Sequence, residues 1–165
     1  MTKQWWQTGA TLAVAAVFAA GLSTGCSTAE SAAPKVDAVA ELQKLNLPTI
    51  PKNLTPEQRA DIQKGWDGPG RYFLQHGCVS CHAVSVHGVK GLAPIGPDLS
   101  NAVEDVQARF GRNLEDFLKE PQGTMQMVLS QLIVMTPEQK TEALQQLQAA
   151  YLEYLRQKKT EAGAK

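Results

Sequence analysis

An all-α domain is what this sequence predicts, and three observations predict it. Two Thr-Pro-Glu-Gln tetrapeptides, Thr55–Gln58 and Thr136–Gln139, carry the pattern of a helix start. Apolar residues recur at helical spacing, as in Val36, Val39, Leu42 and Leu45 and again from Leu144 to Leu155. No stretch alternates apolar and polar residues for long enough to make a strand.

Composition narrows the function classes. The 165 residues leave room for one modest domain plus extras, and 43% hydrophobic with 19% charged residues is ordinary for a globular chain. Sixteen basic residues balance sixteen acidic ones, so there is no basic field to hold nucleic acid.

The first 25 residues read as an export signal. Lys3 is their one charge, Gly9 to Leu22 is an uncharged apolar core, and small residues follow. Ser23-Thr24-Gly25-Cys26 resembles a bacterial lipobox, in which the cysteine is joined to diacylglycerol and becomes the new N-terminus. Ser23 stands where that motif has leucine, with Leu22 one place early. Two other outcomes stay open: cleavage near Ala29 or Ala33, or an uncleaved anchor with Trp5 and Trp6 at the interface. The apolar core is shorter than the roughly 20 residues of a spanning helix. A lipid-anchored product places the protein on the periplasmic side of a membrane. Removing Lys3 with the signal leaves a net charge of −1, so charge steering is weak.

Residues 26–53 read as a lipid-anchored tether. Ser27 to Pro34 is small and polar, and Pro48, Pro51 and Lys52 mark an irregular stretch. The Val36–Leu45 pattern between them predicts a short amphipathic helix that packs on the domain. The folded domain spans 54–160. Its first helix starts at Thr55, whose hydroxyl caps an orphan N–H while Gln58 reaches back. Shorter helices follow at Ala102–Phe110, stopped by Gly111, and Leu114–Lys119, stopped before Pro121. The last helix runs from Pro137 to about Lys158, with Leu144, Leu147, Tyr151, Tyr154 and Leu155 as its buried stripe. Residues 161–165 read as a disordered tail.

The chemistry sits between these helices. Cys78-Val79-Ser80-Cys81-His82 is a C-x-x-C-H motif, the attachment signature of c-type haem. Two thiols three positions apart reach the two vinyl groups of one porphyrin and form thioethers. The next residue projects an imidazole at the iron, for which neutral imidazole is a good ligand. A redox dithiol of the thioredoxin type would need a βαβ setting, which the pattern lacks. A zinc site would need two further Cys or His ligands, and His76 and His87 are crowded against the motif.

From these residues the chain resembles the class I (monohaem) cytochrome c family over residues 55–158. Gly70-Arg71-Tyr72-Phe73 is similar to the family's first helix, which packs against the last, here the Tyr151/Tyr154 stripe. Gly96-Pro97-Asp98-Leu99 is similar to the loop whose proline carbonyl holds the ligand histidine, which implies that Pro97 orients His82. The resemblance implies helices wrapped around one covalent haem (heme c), with a methionine as second axial ligand. Pro121-Gln122-Gly123-Thr124-Met125 looks most like the family's ligand loop, although Gln126 stands where proline often follows the methionine. Met127, then Met135 or a histidine, are the alternatives. Met127 and Met135 flank the apolar run Val128–Val134, where methionine more often fills a core. His76 is too close to Cys78 to cross the haem, and His87 reads as a solvated loop residue.

The resemblance implies an electron carrier between redox proteins, not an enzyme, because two axial ligands leave a small-molecule substrate no access to iron. The alternative is a haem subunit of a redox enzyme complex, handling sulfur compounds or peroxide, with an open or unusual sixth position.

Overall fold

Helices begin where a side chain can close them. The computed structural model describes residues 35–164 except Pro48 and Pro94. Cys26 and the apolar segment before it lie outside the described residues. Both Thr-Pro-Glu-Gln segments form reciprocal capping boxes: Gln58 N–H donates to Thr55 Oγ1 at 3.2 Å and Gln139 N–H to Thr136 Oγ1 at 3.3 Å. In return the Thr55 and Thr136 amides donate to the Gln side chains. Each box satisfies donors that the helix itself leaves unpaired.

Seven α-helices result, and the described residues contain no β-strand. They are α1 (Ala38–Lys44), α2 (Pro56–Trp66), α3 (Arg71–Gln75), α4 (Ala102–Phe110), α5 (Leu114–Lys119), α6 (Thr124–Met127) and α7 (Pro137–Gly163). Short 3₁₀ turns at Cys78–Ser80, Ser85–His87 and Leu99–Asn101 join α3 to α4, and a π-helical turn spans Val128–Leu132. Helices α4 and α5 stop where the sequence predicts. Gly111 takes the left-handed conformation (φ +64°) that ends α4, and Asn113 caps α5. No described helix is long and apolar enough to cross a membrane.

Residues 35–164 share one hydrophobic core. Phe73 and Leu74 of α3, Leu42 of α1, Val79 and Val84 are almost fully buried in it. Helix α7 packs on Leu99–Asn101, α5, α4 and Ser85–His87. Its buried residues are Ala143, Leu147 and Ala150, a narrower stripe than the predicted one. Of the residues predicted there, Leu147 alone is buried, and Leu155 is 38% exposed. Small alanines let the neighbouring turns approach closely, so the aromatic and branched residues lie at the stripe's edges.

Three other expectations change. Gly70–Phe73 and the Tyr151/Tyr154 stripe find other partners. Tyr151 donates instead to Glu104 of α4, and Gly70 packs on Val89 and the Gly65 backbone. Tyr72 reaches α7 at its first turn, donating to the Gln139 carbonyl at 3.3 Å. The run Val128–Val134 is not core throughout. Leu129 is buried, whereas Met127, Leu132 and Val134 are exposed, because the π turn rotates the run across the surface. Helix α7 continues through Gly163, so residues 161–163 are helical; Glu161 and Ala162 are good helix formers.

Candidate functional site

Gly77 sets the start of the motif. It closes α3 with φ +71° and turns the chain into the 3₁₀ turn Cys78–Ser80. The turn sorts its side chains. Val79 and Ser80 are buried, while Cys78, Cys81 and His82 are half-buried. The two intervening residues thus anchor the motif in the core and leave thiols and imidazole at its margin.

A returning loop fixes the backbone of this turn. The amides of Leu92, Ala93, Gly96 and Leu99 donate to the carbonyls of Val79, Ser80, Cys81 and Ala83 at 2.8–3.1 Å. The same loop holds the imidazole. His82 Nδ1 donates to the Pro97 carbonyl at 2.7 Å. A carbonyl only accepts, so in the neutral ring the proton sits on Nδ1 and the lone pair on Nε2. Gly96 lies against the ring, where any Cβ would overlap it, and Gly91 lies close to the His82 carbonyl, which a Cβ would meet at 3.0–3.1 Å. Here glycine serves close approach.

Two residues not singled out from the sequence brace this loop. Asp98 accepts from the amides of Ser100 (2.8 Å) and Ser85 (3.2 Å), and the buried Ser100 hydroxyl accepts from Val86 N–H and the Ser85 hydroxyl. Burial pushes the Asp98 carboxyl up, but the bonds from Ser85 and Ser100 outweigh it and hold the group below its ordinary value. The Asp-Leu-Ser sequence is the signal that could have located this clamp, since Asp commonly caps the amide two residues on.

The thiols are unpaired, and no disulfide joins them. Burial raises the Cys78 thiol to about 12; a backbone hydrogen bond opposes the rise and Cys81 adds to it. A thiol held protonated is a poor redox nucleophile, which weighs against a dithiol enzyme. Among the described residues no three His, Cys, Asp or Glu side chains gather to hold a metal ion.

The donor set suits a covalently held porphyrin: two free thiols and an imidazole with its Nε2 lone pair available. Cys78, Leu92, Leu99, Val103, Phe110 and Met125 are each partly buried against the hydrophobic core.

The methionines separate by exposure. Met125 and Met135 are half-buried against the core, and Met127 is 50% exposed. Met125 lies in α6, which follows Gly123 (φ +60°) and has no side-chain cap. His87 departs from expectation. It is half-buried, its ring 5.9 Å from Phe73, and its Nδ1 has no hydrogen-bond partner among the described residues. Gly88 (φ +65°) folds the Ser85–His87 turn back onto α7, which takes the ring out of solvent. His76 packs on Tyr72 at 4.3 Å between ring centroids.

Comparison with known families, curated proteins and solved structures finds no match for this chain.

Proposed function

We propose that the protein is an exported monohaem c-type cytochrome that passes single electrons between redox partners, held at a membrane through Cys26. The observation that carries the reading is the C-x-x-C-H turn with its imidazole pinned at Nδ1 by Pro97. Cys78 and Cys81 would hold the haem by thioethers, and His82 would ligate its iron through Nε2. When bound, the haem supplies a one-electron couple.

The chain's own residues set the conditions for that couple. Pro97 fixes the ring orientation and tautomer, and Gly96 keeps the ring from tilting. The loop amides on Val79, Ser80, Cys81 and Ala83 keep the geometry constant through each transfer, which limits reorganisation. Met125 would supply the second ligand to the iron, since it is half-buried against the core while Met127 is exposed; a thioether in that role would favour the reduced form and leave substrates no access to the iron.

The test is expression in a host that exports proteins and attaches haem c. The purified protein should be red, and its mass should exceed that of the processed chain by one haem after denaturation. Colourless protein at the bare chain mass overturns the reading. Cys78→Ser should leave at most one thioether, so one vinyl group stays free and the pyridine haemochrome band should move to the longer wavelength of a singly attached haem.

A further inference from the structure

We infer that residues 35–53 form a wall of the proposed haem crevice, with Leu47 and Thr49 covering the attachment turn beside Cys78. The inference rests on the haem reading above. This segment lies before the region that resembles a cytochrome, and its sequence reads as a tether carrying a short helix that packs on the domain. The structure docks that helix.

Three contacts hold it. Ala38, Val39 and Leu42 are buried in the common core. Gln63 of α2 clasps the start of α1 from both sides: its Oε1 accepts from Ala38 N–H at 3.0 Å and its Nε2 donates to the Val36 carbonyl at 3.0 Å. Asp37 caps α1 by accepting from the Val39 and Ala40 amides. A helix of seven residues is marginal alone, so its burial and clasp are what keep it formed.

The chain after α1 then reaches the motif. A side-chain carbon at Gly77 would meet Thr49 Oγ1 at 2.9 Å, Leu47 Cδ1 at 3.6 Å and Ile133 Cδ1 at 3.7 Å. The residue before the first attachment cysteine is therefore enclosed by the N-terminal strap on one side and the segment after Met125 on the other. Thr49 Oγ1 is buried and has no hydrogen-bond partner among the described residues. An apolar cover at this place lowers the local dielectric, which favours the less charged, reduced form and raises the potential.

The experiment is potentiometric titration of the full, haem-bearing chain followed by its visible spectrum. Leu47→Asn should lower the equilibrium constant for reduction about tenfold, a fall of about 59 mV for one electron. Leu47→Met should stay within about twofold of the parent, about 18 mV by the same constant. Leu45→Asn, on the same strap but exposed, should also stay within that range. Thr49→Val, which replaces the hydroxyl with a methyl at nearly constant volume, should shift the constant upward. This second variant keeps the test decisive if Leu47→Asn does not accumulate. Hydrogen exchange at the Cys78–His82 amides should accelerate in Leu47→Asn and not in Leu45→Asn. A haem-bearing protein whose potential ignores both Leu47→Asn and Thr49→Val overturns the wall while leaving the haem reading intact. A chain without porphyrin overturns both.

Discussion

The two sides of the proposed haem site are built differently. On the histidine side, four loop amides bind four carbonyls of residues 79–83, Pro97 holds the imidazole, and Asp98 and Ser100 brace the loop. On the methionine side, α6 has four residues, no side-chain cap and no buried residue, and the π turn after it buries Leu129 alone. One side is fixed by backbone hydrogen bonds, the other by soft apolar contact. A covalent anchor and its ligand need unvarying geometry, whereas a thioether on a flexible side chain tolerates a looser frame.

The largest break in this contrast should come from Gly96→Val. The new side chain cannot share space with the His82 ring, so either the ring leaves Pro97 or the loop lifts from residues 79–83. Such overpacking costs about 1–3 kcal/mol. Chemical denaturation should show the loss. Met127→Ala, at an exposed position of the looser side, should stay within about 0.5 kcal/mol of the parent. Equal losses in the two variants would erase the distinction.

A smaller effect should separate the methionines. Met125→Leu conserves volume and should cost less than about 1.5 kcal/mol. In the oxidised spectrum it should abolish the methionine-to-iron charge-transfer band, which Met127→Leu should keep. A band that survives in Met125→Leu and disappears in Met135→Leu would move the ligand to the other half-buried methionine.

The same contrast explains what was legible in the sequence. Caps and stops depend on few neighbouring residues, so Thr55, Thr136 and Gly111 mark real helix ends. The His82–Pro97 bond follows a Gly-Pro-Asp loop that the resemblance pointed to, and the geometry is present. Exposure was less legible. Val128–Val134 reads as core by composition, yet two of its five apolar side chains, Leu132 and Val134, are exposed where the π turn runs across the surface and ends. Position 155 fits the helical stripe, but α7 extends beyond the elements it packs on, and Leu155 is left with solvent. The strap at 35–53 was legible in part. Its apolar pattern predicts a helix packed on the domain, and Val39 and Leu42 are buried there, whereas the clasp by Gln63, a residue with no local signal 25 positions from the Ala38 amide, was not. His87 was misread because a glycine-flanked loop suggests solvent, while packing against α7 and Phe73 is a tertiary event.

His87 gives the finest test, because it ties the braced loop to pH. Burial lowers its imidazole below the ordinary 6.5, with Glu153 of α7 acting in the opposite direction. The unfolded chain therefore binds this proton at a higher pH than the folded one. Stability is full above about 6.5 and declines as pH falls toward the folded-state value, below which both states are protonated and the loss levels off. Asp98 shifts downward too, so its contribution persists above the ordinary 3.8 and fades as pH falls through its lower folded value. Midpoints of urea unfolding between pH 7.5 and 5 should fall in the parent and fall less in His87→Phe, whose ring can keep the contact with Phe73 without a proton to bind. Parallel curves for parent and variant would mean that the imidazole is as solvated as its glycine-flanked sequence suggests.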